Sequence, residues 1–125
     1  MAANVRDRVN DLIGYIKQGK IIEAMTEFYH EDGAMQENRH EPTRGLKNLI
    51  ANEQKFIDNL AEFHGFEATS VGVQGGEDGT GTALMESWLE YTDKSGKRVR
   101  LEQVSVQRWE NGKIRHERFY YDSAS

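Results

Sequence analysis

Two hairpins in the last third of the chain constrain its fold more than any other feature. Leu84 to Tyr91 and Val99 to Trp109 are strand-forming runs joined by Asp93-Lys94-Ser95-Gly96-Lys97. The second run continues through Glu110-Asn111-Gly112-Lys113 into Ile114 to Tyr121. Runs rich in β-branched and aromatic residues, closed by glycine-bearing turns, specify an antiparallel meander. Polar residues stand among the apolar ones along each strand. A curved sheet of that kind, backed by helices, frames a pocket.

The turns also fix which residues share a face. Each turn suits a type I turn followed by a left-handed glycine and a bulge. Asp93 then opposes Lys97, and Trp109 opposes Lys113. Ser87 pairs with Gln103, Met85 with Ser105 and Leu89 with Leu101. Across the second hairpin Ser105 pairs with Glu117, Gln103 with Phe119 and Leu101 with Tyr121. One face therefore carries Met85, Ser87, Leu89, Tyr91, Leu101, Gln103, Ser105, Glu117, Phe119 and Tyr121, mostly apolar with a few polar groups. The other carries Glu86, Trp88, Glu90, Arg100, Glu102, Val104, Val106, His116, Arg118 and Tyr120. A plain two-residue Asn-Gly turn would shift the second pairing by one residue and exchange the faces of the last strand.

The first half reads as helical. Val5, Val9, Leu12, Ile13 and Ile16 recur at helical spacing up to Gly19. A second helix from about Lys20 presents Ile21, Ala24, Met25 and Phe28, and His30-Glu31-Asp32-Gly33 ends it. Ala34 to Asn38 forms a short strand. Thr43, after Pro42, caps a long helix whose apolar stripe is Leu46, Leu49, Ile50, Ile57 and Leu60. His64-Gly65 marks the change to strands at Phe66 to Gln74 and Thr80 to Thr92, with a glycine turn between them.

Bulk properties narrow the function. A chain of 125 residues holds one domain with one core. A net charge of -5 argues against a nucleic-acid partner. The absence of cysteine removes disulfides and thiolate metal sites and fits a reducing cytoplasm. No stretch is long and apolar enough to suggest a membrane partner. The four histidines have no ligand spacing, and neither a phosphate loop nor a dinucleotide fingerprint is present, so no metal or cofactor is implied.

The carboxylates to follow are Glu37 and Glu117, as candidate catalytic bases. Each has a plain alternative: Glu37 as a solvated loop residue, Glu117 paired with an arginine such as Arg115. Gln103, Ser105 and Tyr121 are candidate donors to a ligand oxygen, with Phe119 supplying apolar contact. They could equally satisfy one another or the backbone. Glu53, with Leu12, is a further candidate ligand-binding residue; it lies three residues after Ile50 and four before Ile57. The stripe edge, reaching water, is its expected place, and the cavity wall is the alternative.

The order of elements resembles the nuclear-transport-factor-2-like superfamily, and within it the SnoaL-like group of polyketide cyclases, akin to ketosteroid isomerases. Phe28-Tyr29-His30-Glu31-Asp32-Gly33-Ala34, Arg44-Gly45 and Arg108-Trp109-Glu110-Asn111-Gly112-Lys113-Ile114 carry the resemblance. It implies an α+β cone: a strongly bent antiparallel sheet packed on three N-terminal helices, with an internal pocket. It places Glu37 in the slot of the isomerase base. The oxyanion tyrosine slot holds Leu12, and the second oxyanion acid slot holds Ser105. The cyclase His-x-Asp slots hold Glu117 and Phe119. The implied partners are a small apolar, polyketide-like or steroid-like molecule and a second copy of the chain. Trp88, Val104, Val106 and Tyr120 would form the dimer contact. The function expected is binding of such a molecule, with isomerase-like or cyclase-like acid–base chemistry at Glu37 or Glu117. The competing readings are a non-catalytic binding or association module, and a hydrolase using an Arg115–Glu117 pair inside the cone.

Overall fold

The computed structural model describes residues 4–122. Helix α1 (Val5–Lys17) begins at Asn4, whose side chain accepts from the Asp7 amide at 2.9 Å and so satisfies one free helix-end donor. Helix α2 (Ile21–Phe28) passes directly into strand β1 (Tyr29–Glu37). The His30–Gly33 run therefore lies within a strand instead of ending the helix, and the strand starts five residues earlier than its apolar pattern indicates. A two-residue strand β2 (Thr43–Arg44) pairs with Ala34 and Met35, so Thr43 belongs to the sheet and Gly45 begins helix α3 (Leu46–Asp58). Strands β3 (Leu60–Gly75), β4 (Gly81–Asp93), β5 (Arg98–Glu110) and β6 (Lys113–Tyr120) complete the chain.

The sheet runs β2-β1-β6-β5-β4-β3. All neighbours are antiparallel except β1 and β6, which run parallel. The expected α+β cone is thus a mixed sheet, with the N-terminal strand inserted beside the C-terminal one. Strand β3 is longer than expected, starting at Leu60 in place of Phe66. Pairing breaks at three places between Leu60 and Ser70. Such interruptions bend and twist a strand, and they let β3 cross from the helix α3 end toward α1.

The first hairpin has the expected register: Met85 opposite Ser105, Ser87 opposite Gln103, Leu89 opposite Leu101. Its turn carries Gly96 at φ 87, and the Asp93 amide donates to the Lys97 carbonyl at 2.9 Å. The second hairpin departs from expectation. Asn111 and Gly112 both have positive φ, so the turn has two residues and Glu110 opposes Lys113. Trp109 then faces Ile114, but Arg108 faces His116, leaving Arg115 as an extra residue. This bulge restores the parity that the short turn removes. Ser105 therefore pairs with Phe119 instead of Glu117, and Gln107 with Glu117. The net slip is two residues, and Glu117 and Phe119 keep the concave face.

That face meets the helices. Val5, Val9 and Leu12 of α1, Ala24, Met25 and Phe28 of α2, and Leu49 of α3 pack with Ala83, Trp109 and Ile114. Phe28 stands edge-on to Tyr15 at 5.1 Å and to Trp109 at 6.4 Å. This cluster closes the narrow end of the cone. Toward β3 and the middle of α3 the packing thins, and a space remains.

Candidate functional site

Helix α3 presents Leu49, Asn52, Glu53 and Phe56 along one side, the spacing at which side chains stack one turn apart. Leu49 is buried in the core, which turns Glu53 and Phe56 inward and leaves Asn52 at the exposed edge. Glu53 therefore lies on the cavity wall and not at the water-facing edge expected from the Ile50–Ile57 stripe. Leu46 and Ile50 sit partly buried against the core, so the helix has a broader apolar face than a single stripe.

The space has two parts. An inner chamber of about 130 Å³ is lined chiefly by apolar residues, among them Leu12, Met25, Phe63, Phe66 and Met85. Tyr29 and Glu117 supply its polar wall. A vestibule of about 300 Å³ is lined by Glu37, His40, Glu41, Thr43, Asn52 and Leu101, with others. Met35, Glu53, Phe56, Leu89, Gln103 and Phe119 line both parts and form the throat between them.

Glu117 is fully buried and held by a chain of side chains. The Tyr29 hydroxyl donates to one carboxyl oxygen. Gln107 Nε2 donates to the other at 3.1 Å, and Trp109 Nε1 donates to Gln107 Oε1 at 3.0 Å. Burial raises the proton affinity of Glu117, and its hydrogen bonds from Tyr29, Gln107 and Ser105 oppose that rise. Tyr29 is also pushed well up, first by burial and then by the Glu117 charge. Such a chain ties β1, β5 and β6 together below the chamber.

Glu53 differs. Its side chain makes no hydrogen bond to any other described residue. Burial, then the charges of Glu117 and Glu37, raise its pKa from 4.5 to about 7. A half-buried carboxyl at that value exchanges its proton near neutrality, the property a general acid–base group needs. Gln103, facing the same throat from β5, is likewise without a side-chain hydrogen bond to a described residue.

The remaining candidates separate. Glu37 is exposed at the vestibule mouth and accepts from the Tyr121 hydroxyl at 2.9 Å. Tyr121 serves that contact and does not line the chamber. Ser105 is buried and accepts from Gln107 at 3.4 Å, so it belongs to the support of Glu117 and not to the chamber wall. Phe119 and Leu12 do line the chamber. Arg115 turns outward to Glu110 at 3.3 Å and Asp32 at 4.0 Å. The bulge aims it away from Glu117, so the arginine–carboxylate pair of the hydrolase reading does not form. Sequence pattern pointed away from Glu53; its i, i+4 relation to the buried Leu49 was the signal available.

The outer sheet face is built as expected. Leu84, Val104 and Tyr120 are exposed there. The Arg100 guanidinium stacks 4.4 Å over Trp88, and Arg98 and Arg100 pair with Glu90. No helix among the described residues is long and apolar enough to cross a membrane.

A cone of this topology with a largely apolar chamber coincides with a sequence match over residues 4–125 to SnoaL-like polyketide cyclases. The chain belongs to this family. Solved structures agree on the fold. A candidate SnoaL-like polyketide cyclase [carbohydrate phosphatase] from Mesorhizobium loti superposes with a TM-score of 0.69 at 25% identity, covering 94% of this chain and 98% of that one. An NTF2-like protein of unknown function from Burkholderia pseudomallei gives 0.77 at 16% identity, covering 95% and 91%. A candidate isomerase from Bacillus subtilis gives 0.72 at 16%, covering 94% and 86%. No curated protein matches the sequence. The SnoaL-like scaffold accounts for the fold and the chamber, and the chemistry rests on this chain's own side chains.

Proposed function

We propose that this SnoaL-like protein binds a small, largely apolar molecule in the chamber and moves a proton on it through Glu53. The observation that carries this reading is the unpartnered Glu53 carboxyl in the throat, with a pKa of about 7. Glu117 was the other inward carboxylate, but its oxygens are already engaged by Tyr29 and Gln107. Glu37 lies at the mouth, where it repels the Glu53 charge. In this scheme Glu53 takes a proton from carbon beside a carbonyl and returns it to a neighbouring position. The free amide of Gln103 is the donor placed to orient the carbonyl oxygen.

Size bounds the substrate. An apolar void of roughly 150 Å³ accepts a benzene ring, so the chamber of about 130 Å³ takes about one ring. A polyketide-like or steroid-like body would place one ring inside and the remainder in the vestibule. The test is solvent deuterium exchange into cyclic ketones, followed by proton NMR. Wild type should accelerate exchange, and Glu53→Gln should lose about 100-fold or more of that rate. Equal exchange by Glu53→Gln and wild type would refute the assignment.

A second reading concerns assembly. The exposure of Leu84, Val104 and Tyr120 on one sheet face supports pairing of two copies through that face.

A further inference from the structure

The charge of the vestibule bears on which small molecule the chamber takes. Glu37, Glu41 and Glu53 line the vestibule, and Glu117 stands behind them in the chamber wall. No lysine or arginine is among the residues lining either space; His40 is the one basic side chain. Arg118, on the adjoining strand, donates to the Asn38 carbonyl at 2.8 Å and stacks on Tyr120, away from the site. A cleft lined by one sign of charge concentrates ligands of the opposite sign and excludes those of the same sign.

The throat adds geometry to that field. Glu53 brings carboxyl oxygens to the throat and Gln103 an amide with both acceptor and donor capacity, neither side chain hydrogen-bonded to a described residue. Phe56 and Phe119 line the same passage and offer aromatic surface, which attracts cations. Behind the throat the chamber wall is chiefly apolar, with Tyr29 and Glu117 as its polar part. The site is therefore chiefly apolar at its closed end and acceptor-rich at its neck.

We propose that the site takes a small molecule with an apolar ring and a protonated amine, the ring in the chamber and the ammonium in the throat against Glu53 and Gln103. This inference rests on the chamber being a binding site, as proposed above; toward an amine ligand Glu53 acts as the counter-ion, and the proton transfer proposed above is not part of it. An ammonium brings three donors and no acceptor, which matches a throat offering acceptors. An anionic head would meet three carboxylates in the vestibule and no cation able to offset them. A neutral head would leave the Glu53 charge uncompensated whenever the group is ionised.

The test compares three single-ring probes by isothermal titration calorimetry at about pH 8, where Glu53 is ionised. They are benzylamine, benzyl alcohol and benzoate. The expected result is benzylamine binding about tenfold or more tighter than benzyl alcohol, with no detectable benzoate binding. In Glu53→Gln the preference for the amine over the alcohol should collapse. Benzyl alcohol binding as tightly as benzylamine would overturn the cation assignment while leaving the chamber reading intact. An amine preference that survives Glu53→Gln would overturn the role given to Glu53. Failure of all three probes to bind would overturn the chamber reading, and this inference with it.

Discussion

Replacing Glu53 by glutamine should stabilise the protein above neutral pH and leave it unchanged in acid. Glu53 titrates at about 7 in the folded chain against 4.5 when free. Between those values the folded state holds a proton that the unfolded state has released, so stability falls as pH rises. Below about 4.5 both states are protonated and the effect vanishes; above about 7 both are ionised and the loss is complete. At about 1.4 kcal/mol per pH unit, the gap from 4.5 to about 7 comes to an order of 3 kcal/mol. Glutamine keeps the shape and cannot ionise, so it removes this loss. The assay is urea unfolding of both proteins from about pH 4 to about pH 8.5. With an m-value of roughly 2 kcal/mol/M, the Glu53→Gln midpoint should exceed wild type by about 1.5 M at the alkaline end and match it at the acid end. A difference that does not change with pH would refute the reasoning.

Other perturbations probe other parts of the structure. Tyr29→Phe removes the hydroxyl donor to the buried Glu117 and should destabilise by about 1–3 kcal/mol in urea unfolding; an unchanged midpoint would mean that the hydrogen bond contributes nothing net. Deleting Arg115 removes the extra residue of the bulge between β5 and β6 and leaves Ile114 opposite Trp109 and Glu117 opposite Gln107, so Glu117 and Phe119 should stay inward and circular dichroism should report cooperative folding retained; loss of cooperative folding would count against this register. Val104→Ala should weaken self-association by way of the outer face, read by sedimentation velocity, and an unchanged profile would count against that interface.

The sequence made the sheet faces legible because two hairpin turns pin the strands and alternation does the rest. It missed the second register, since nothing local distinguishes a three-residue turn from a two-residue turn followed by a bulge. Both keep Glu117 and Phe119 inward, so the face assignment survived an incorrect pairing. The helix-to-strand change at Phe28–Tyr29 was hidden because β1 acquires its strand partner from β6, far along the chain. Glu53 was obscured for a similar reason. Its helix alone has an edge there, and only the bent β3 and β5 opposite turn that edge into a cavity wall. Arg115 and Glu117, two apart, suggested a pair that the bulge separates.

The most direct test of the central claim is a pH titration of the Glu53 side-chain carboxyl by carbon-13 NMR, assigned by comparison with Glu53→Gln. A midpoint near 7 is the result expected for a carboxyl held in the throat with its proton available to a ligand. A midpoint near 4.5 would place Glu53 in water, and would contradict both its role in proton transfer and the site built around it.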